Sequence, residues 1–465
     1  MTAIAPSPAT WTPIEVTPKW GESVTFIPTL TVENATTELE FVTLLSDRLP
    51  PIKTVGKDWF SYSNGTWKQI EPSMLKPQAL DILPEQRRTV RAAMTLLDHV
   101  ESARQVDPAT FCGFYKFEGA DNTSVLVNVA NGVVRVKPEG FELLPHSQDY
   151  SFTRQTAAGF SPDASDALFA RVLGEVLPDV EDRELFQLCL GNLLLPDSRH
   201  ETALVCYGEA GRGKSTVADP VAAALGVELV ARLSMSQICD PRSYSLPALR
   251  HCAVNLGTEL TTADIAESGN FKTLVSGEPL EARPIYGKPF VMQSSCKLWF
   301  LANSLPRFKH GTEAELRRTR FLRFDHKPTT KDVTLKARLA SELDGVLYFM
   351  LDGLRELLSL REIPLGGAES RAVHERFKVS NDPVGSFSQS CCVFDPEAQV
   401  SKSALREAFT NFSSRSELPA VCGEWFFRAF FERFTSLRQT YTRMGGSRQW
   451  LVQGLRLLPD TDDEV

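Results

Sequence analysis

Several features that would place this chain in other classes of protein are missing from its 465 residues. No apolar run approaches the ~20 residues that a membrane-spanning helix needs, and the N-terminus lacks the basic and apolar segments of a secretory signal. The nine cysteines are scattered without a Cys-x-x-Cys pair, so neither a zinc site nor a disulfide scaffold is expected. We therefore predict a globular, cytoplasmic protein with reduced thiols and no membrane contact.

A positive net charge is missing as well, since 58 Asp and Glu outnumber 50 Lys and Arg and give −8. Taken alone, this balance argues against a nucleic-acid partner. The basic residues are concentrated, however. Residues 268–331 hold twelve Lys or Arg and five Asp or Glu, and residues 433–459 hold five Arg and no acid. The placement of charge therefore favours DNA contacts that the total argues against.

The pattern of polar and apolar residues predicts several elements. The first ~20 residues are rich in Pro, Thr and Ala, which is typical of disorder. Two apolar runs flank Asn131-Gly132 and predict a hairpin, while polar, Gly and Pro residues at 366–390 predict a linker. The dense Phe residues of EWFFRAFFERF are expected to form the core of a small helix-rich module. The predicted helices cover 82–105, 164–178, 180–195 and the amphipathic stretch 330–361, and a short strand is predicted at 203–208.

One motif carries chemistry by itself. GEAGRGKST fits the phosphate-loop pattern G-x-x-x-x-G-K-[ST] at every fixed position, after an apolar run and before an Ala-rich helix. Backbone N–H groups of such a loop surround the phosphates at a helix N-terminus. Lys214 is expected to reach the β- and γ-phosphates, and Ser215 to ligate Mg²⁺. The predicted ATP-binding residues are Gly208, Glu209, Ala210, Gly211, Arg212, Gly213, Lys214, Ser215 and Thr216.

Three polar positions downstream could complete such a site. Glu259 ends a short apolar strand and could polarise the attacking water, although a surface carboxylate would look the same. Asn303 ends the strand KLWFLA and could hold that water, or simply form a turn. Arg317-Arg318 could neutralise charge on a neighbouring subunit's nucleotide, or form a solvated basic turn.

In this order, these strings resemble the phage/plasmid and poxvirus-type primase–helicase family, which are superfamily III helicases with an AAA+ core. The resemblance covers about residues 55–459 and is weaker in the flanks. It is carried by GEAGRGKST, TEL around Glu259, NFKTLVSGEPLEARPIYGKPF, KLWFLANSLPRF and ELRRTRFLRFD, with similarity upstream in DWFSYSNGTWKQ and NVANGVVRV and downstream from VSKSALREAFTNF to GGSRQW.

The resemblance implies roles for the nucleotide-site residues. Lys214 and Ser215 would bind ATP and Mg²⁺. Glu259 would be the Walker B catalytic acid and a metal ligand, and Asn303 would be the polar sensor. Two departures stand at the Walker B strand. Thr258 replaces a second acid, so Mg²⁺ would depend on Ser215, phosphate oxygens and water, and Asn255 and Gly257 make the strand less apolar than is typical.

The resemblance also implies residues that act between subunits and on DNA. Arg318, with Arg317 beside it, would be an arginine finger that reaches the neighbouring subunit's ATP. Lys288 would lie on the pore hairpin that contacts DNA, and Lys272 would help contact DNA or nucleotide. For both lysines, a solvated loop position remains the alternative. Residues 1–150 contain no Asp-x-Asp pair, so a primase activity is not expected in this chain.

We therefore expect an α/β protein with a P-loop AAA+ core, an N-terminal α+β domain and a small winged-helix-like C-terminal domain. Its function would be that of an ATP-dependent, ring-forming DNA helicase, most simply a homo-hexamer, that replicates a mobile element with a separate primase. The alternatives are an ATP-switched origin-binding or helicase-loading factor and a small-molecule kinase. The predicted parts are 1–55, disordered or poorly defined; 56–160, the N-terminal domain; 161–365, the ATPase domain; and 385–459, the C-terminal domain.

Overall fold

The chain forms two compact units. One contains residues 1–112 and 147–153, and the other contains residues 113–146 and 154–465. These boundaries differ from the predicted ones because residues 113–146 pack with the predicted ATPase domain. The structure is a computed structural model that describes residues 14–16, 24–26, 37–119, 122–258, 265, 267–306, 308, 313–327, 332–416, 418, 423–444 and 447–458.

The first unit is built on three helices whose apolar faces meet in one core. Leu45, Ile82 and Leu97 are fully buried there, together with Trp59 from a small antiparallel sheet. Burial of such side chains contributes about 1.5–3 kcal/mol each. The elements are β1 (Ile14–Val16), β2 (Val24–Phe26), α1 (Glu38–Arg48), β3 (Ile52–Val55), β4 (Asp58–Ser63), β5 (Thr66–Ile70), α2 (Lys76–Ile82) and α3 (Val90–Ala103).

Helix α1 lies inside the segment predicted to be disordered or poorly defined, residues 1–55. Thr37 and Glu40 form a reciprocal capping box at its first turn. Phe41 and Leu45, one turn apart, are buried. The structure therefore corrects the prediction from residue 37 onward, because this short apolar repeat is hard to see after a Pro- and Thr-rich stretch.

The second unit begins with a four-stranded antiparallel sheet. Two of its strands flank Ala130-Asn131 as the predicted hairpin, with Val129 opposite Gly132. The Asn131 side chain both donates to Phe160 O and accepts from Phe160 N, which fixes this turn on the rest of the unit. The strands are β6 (Tyr115–Glu118), β7 (Ser124–Val129), β8 (Gly132–Lys137) and β9 (Gly140–Leu144).

A five-stranded parallel sheet forms the centre of the second unit. Its strands are short and buried on both faces, as is typical of parallel sheets covered by helices. The strand order is β11-β12-β15-β10-β16, so the carboxyl ends of all five strands meet at one edge. The strands, with the separate hairpin β13–β14, are β10 (Ala203–Tyr207), β11 (Val230–Ala231), β12 (Val254–Gly257), β13 (Leu280–Ala282), β14 (Phe290–Met292), β15 (Lys297–Ala302) and β16 (Thr319–Arg323).

Helices cover this sheet. The helix that carries Gly191 and the helix that carries Gly353 cross with their backbones in close contact. A Cβ on Gly191 would lie 2.3 Å from the backbone of Gly353, so only glycine permits this approach. Tyr348 on the second of these helices packs against Phe141 of the antiparallel sheet. The helices are α4 (Ala167–Val176), α5 (Val180–Asn192), α6 (Lys214–Leu225), α7 (Met235–Cys239), α8 (Gly269–Ser276), α9 (Glu313–Arg317), α10 (Leu335–Leu339) and α11 (Leu343–Leu357).

The segment predicted as a linker, residues 366–390, is helical. Val373 and Phe377 lie one turn apart on α12 (Ala368–Asn381) and are buried, and Phe377 packs on Phe321 of β16 with ring centroids 4.8 Å apart. This part of the prediction was wrong, because a narrow apolar stripe suffices to hold a helix whose other faces are polar.

The C-terminal module combines helices with an antiparallel sheet. Phe387, Phe409, Phe426 and Phe430 form its core, which confirms that the Phe-rich segment is structural. No helix in the described part of the chain has the length and apolar character needed to cross a membrane. The module's elements are α13 (Pro383–Cys391), β17 (Cys392–Ser401), α14 (Lys402–Arg415), α15 (Gly423–Arg433), β18 (Arg438–Met444) and β19 (Ser447–Leu457), with sheet order β17-β19-β18.

Candidate functional site

The predicted phosphate loop joins β10 to α6 at the carboxyl edge of the parallel sheet. Gly211 and Gly213 have φ values of 77° and 86°, which side chains other than glycine rarely adopt. A Cβ on Gly208 would lie 2.0 Å from Phe324 O on the neighbouring chain segment. Gly213 caps α6 without a side-chain hydrogen bond, so the helix N-terminus presents its N–H groups without a competing side-chain acceptor.

Lys214 is the first residue of α6, and its side chain turns back into the loop. The Nζ donates to Glu209 O at 2.8 Å and also to Gly208 O. The residue is buried, and this burial lowers the pKa of Lys214 from its usual value. A partly desolvated ammonium that is held by uncharged carbonyl oxygens is a good counter-ion for an incoming phosphate.

Asn303 reaches the same point from the neighbouring strand. It follows β15, which pairs in parallel with β10, and its Oδ1 accepts from Lys214 Nζ at 2.9 Å. The structure thus brings together two of the predicted catalytic residues, and Ser215 lies exposed beside them on the first turn of α6.

Glu259 lies outside the described residues, and its predicted role stays a prediction. The strand before it, β12, lies next to β15, so it ends at the same edge of the sheet. The structure explains why β12 contains Asn255 and Gly257 in place of apolar side chains. The buried Asn255 amide accepts from Leu233 N and donates to Leu233 O, and a Cβ on Gly257 would lie 2.7 Å from Leu233 O.

Arg317 and Arg318 lie at the opposite, amino edge of the sheet, just before β16. The two side chains differ. Arg318 is buried, donates from Nε and Nη2 to Ser276 Oγ, and lies 3.0 Å from Glu201 Oε2. Arg317 is 65% exposed, with 3.7 Å between its Nη2 and the same carboxylate. Glu201 carries no sequence signal of this pairing and was missed.

Lys288 lies on the exposed loop of the β13–β14 hairpin. Ala282 pairs with Phe290 at the base of this loop, which confirms a hairpin in this segment. Lys288 and Tyr286 are exposed, and Tyr286 has a left-handed φ of 60°. The hairpin therefore presents a cation and an aromatic ring to solvent.

Lys272 has a different environment. It lies on α8 with its Nζ 3.3 Å from Oε1 of Glu315, a carboxylate whose side chain is only 1% exposed. Ser268 Oγ donates to the same oxygen. Lys272 therefore compensates a buried negative charge, a role that its sequence context did not indicate.

Comparisons with known proteins give a family match, a viral relative and solved structures of similar fold. Residues 206–318, from the end of β10 to the arginine pair, match a family of unknown function (DUF5906). A protein of Acanthamoeba polyphaga mimivirus named "Putative helicase L207/L206" is 25% identical over 171 residues, which is 35% of this chain. The match spans only 18% of the length of that viral protein.

Solved structures of the NrS-1 C-terminal region share the fold. An A-form apo structure aligns with a TM-score of 0.53 and 11% identity over 90% of this chain and 100% of that chain. A second apo structure, of residues 305–718, gives the same TM-score and identity over 90% and 99%. The chain is thus a mixed α/β protein with a parallel-sheet domain, similar in sequence to one viral helicase-named protein and in fold to the NrS-1 region.

Proposed function

We propose that this chain is an ATP-dependent, ring-forming DNA helicase that acts in the replication of a virus, plasmid or other mobile element in the cytoplasm. The observation that carries the proposal is the contact of Lys214 with Asn303 at the carboxyl edge of the sheet. There, a γ-phosphate would meet both the P-loop lysine and a polar side chain able to orient water.

The topology supports an AAA+ core. The P-loop strand β10 lies between β15, which precedes Asn303, and β16, which follows the arginine pair. In the C-terminal module, the order helix, strand, two helices and two strands is that of a winged helix. The viral relative's name is consistent with a helicase, and the NrS-1 likeness is consistent with the fold.

The residues fit ATP with Mg²⁺. The glycine backbone leaves room for phosphates, and Ser215 Oγ lies at the first turn of α6. Within the described residues, no three His, Cys, Asp or Glu side chains converge to hold a metal ion by themselves. Mg²⁺ would be held by Ser215 and Glu259 together with phosphate oxygens and water, and Glu259 would also activate the attacking water.

The finger role expected of Arg318 passes in this proposal to its neighbour Arg317, because Arg318 is buried and paired with Glu201 whereas Arg317 is exposed. The five residues of β16, at ~3.3 Å per residue, span roughly 16 Å, and Arg317 lies before the start of this strand, on the far side from its own P-loop. Its exposed guanidinium would therefore serve a nucleotide bound to another copy. Ring assembly, most simply a hexamer, satisfies this need. The β13–β14 hairpin with Lys288 would then line the pore and grip one DNA strand.

The decisive experiment measures ATP hydrolysis and strand displacement on 3′- and 5′-tailed duplexes. The wild type should hydrolyse ATP faster with single-stranded DNA and displace one strand. Lys214→Ala should lose both activities by at least about 100-fold. Lys336→Ala, which alters an exposed lysine of α10 paired with Asp219, is the matched control and should retain both.

DNA-stimulated hydrolysis without displacement on either tail would instead indicate an ATP switch such as a loading factor. If the Lys214→Ala variant still hydrolyses ATP, the assignment of the nucleotide site to this loop is wrong. Imaging of particles with an ATP analogue would count the subunits of the ring.

A further inference from the structure

The β18–β19 hairpin of the C-terminal module carries an exposed aromatic pair. Tyr441 and Trp450 face each other across the two strands, with ring centroids 5.7 Å apart. Their exposed fractions are 54% and 46%. Large aromatic side chains are normally drawn into cores or interfaces because their burial is strongly favourable. An exposed, paired set therefore marks this face of the hairpin for a partner.

The pair is not a displaced part of the module's own core. That core is filled by Phe387, Phe409 and Phe426, and the hairpin contributes Val452 and Leu455 to it, both fully buried. The hairpin is thus anchored by its aliphatic residues, and the two exposed rings lie beyond this anchor.

The hairpin that carries the two rings has charge of one sign, and one further lysine lies beside them. Lys402 Nζ lies 5.4 Å from the Trp450 ring and 5.1 Å from that of Phe427. The hairpin sequence from residue 434 to 458 has no acid, and its arginines include the exposed Arg438 and Arg456. Aromatic faces next to cations suit a polyanion that also offers flat rings, which is the chemistry of a nucleic acid.

We propose that the β18–β19 hairpin binds single-stranded nucleic acid, with bases stacked on Trp450 and Tyr441 and phosphates near Lys402. A single strand is favoured over a duplex because stacking needs a base that is free of its neighbours. The helix α15 is a poor alternative for duplex binding, since its exposed Glu424 and Glu432 balance its exposed Arg428 and Arg433 and leave no excess of positive charge for phosphates. The site is separate from the P-loop and needs no nucleotide.

The test uses the full chain without ATP and a labelled oligothymidylate of about 20 nucleotides, followed by fluorescence anisotropy. Trp450→Ala should weaken binding about tenfold, and Trp450→Phe should stay within about threefold, because a phenyl ring still stacks. Trp425→Ala is the matched control, since Trp425 is 38% exposed on α15 and lies outside the hairpin. Repeating the series in a Lys288→Ala background removes the other proposed DNA contact.

Three further readouts complete the test. An oligonucleotide with abasic sites should bind the wild type about as weakly as oligothymidylate binds Trp450→Ala. Both proteins should lose affinity when salt rises from about 50 to about 200 mM, because phosphate contacts remain. Single strands should bind more tightly than duplex of the same length.

Equal affinity of Trp450→Ala and wild type for oligothymidylate, or equal binding of abasic and intact strands, would overturn the proposal. Tighter binding of duplex than of single strands would also overturn the proposal, because bases in a duplex are not free to stack on Trp450 and Tyr441. None of these results depends on ATP hydrolysis, so a failure here is distinguishable from a failure of the Lys214 experiment.

Discussion

Lys214 and Asn303 are joined by a hydrogen bond of 2.9 Å from Nζ to Oδ1, although the two residues belong to different strand–loop segments of the sheet. The lysine follows β10, and the asparagine follows its parallel neighbour β15. A γ-phosphate entering the loop would therefore compete with Asn303 for the ammonium. Its arrival would free the asparagine amide to hold water.

This relationship makes Asn303→Ala informative. We expect nucleotide binding to remain within about threefold, because the P-loop backbone is intact, while hydrolysis falls about 10- to 100-fold through loss of water positioning. Binding of a fluorescent ATP analogue and phosphate release measure the two quantities. If binding and hydrolysis fall together, Asn303 serves the loop's structure rather than the reaction.

The two neighbouring arginines should separate into different roles. Arg318→Ala loses the hydrogen bonds to Ser276 and the pairing with Glu201, and should lower the free energy of unfolding by about 1–3 kcal/mol. Arg317→Ala should change stability by less than about 0.5 kcal/mol, because its side chain is exposed. Urea denaturation measures both effects.

Subunit mixing then tests the trans role of Arg317. Lys214→Ala and Arg317→Ala subunits are each expected to be inactive alone. Mixed together, they should regain part of the ATPase activity, because intact arginines of the first can serve intact P-loops of the second. A mixture as inactive as its components would contradict a finger supplied by Arg317.

The lysines predicted to contact DNA should also differ. Lys288→Ala removes an exposed side chain and should spare folding and basal ATP hydrolysis while strand displacement is lost. Lys272→Ala leaves the Glu315 carboxylate buried without this cation and should lower the melting temperature by several degrees. Thermal unfolding and the tailed-duplex assay measure these effects. If the Lys288→Ala variant displaces a DNA strand as fast as the wild type, the β13–β14 hairpin does not grip DNA in the pore.

Lys297 should give folding stability a distinct pH dependence. Its buried Nζ donates to Leu195 O, Asp197 O and Ser295 O, and burial lowers the pKa of Lys297 to about 8. Between this pKa and about 10.5, the unfolded chain binds more protons, so this lysine's contribution makes the fold more stable as pH rises.

The measurement is urea unfolding of wild type and Lys297→Met at pH 7 and pH 10. The variant should be less stable at both values, since three carbonyl groups lose their donor. Relative to the variant, the wild type should gain about 2 kcal/mol on going to pH 10, because other titrations cancel in the comparison. A difference that stays constant with pH would mean that the lysine keeps its usual pKa in the fold.

The sequence predicted best where fixed spacing dictates local geometry. The loop of Gly208–Thr216 and its flanking strand and helix follow from glycines and an apolar run, and the Lys214–Asn303 contact follows once both strands are parallel neighbours. The hairpin around Lys288 was also signalled by local turn residues.

Long-range pairing could not be predicted in the same way. Nothing near Arg318 in the chain indicates that Glu201 and Ser276 hold it, and nothing near Lys272 indicates the buried Glu315. The helix α12 was also not predicted, because its sequence is mostly polar. Its few apolar residues, such as Phe377, stabilise the helix by packing on Phe321 of β16. Such contacts depend on tertiary packing, which local pattern does not encode.

The Asn255 amide has a consequence for engineering this chain. Strand β11 is two residues long, and the amide continues its ladder by pairing with both polar backbone groups of Leu233. Replacing Asn255 by valine would make the sequence look more like an ordinary buried strand. It would also leave the backbone N–H and C=O of Leu233 without the hydrogen-bond partners that Asn255 provides. A substitution that makes this strand more apolar would therefore weaken the fold, because the Asn255 amide supplies hydrogen bonds that the short strand β11 does not extend far enough to make.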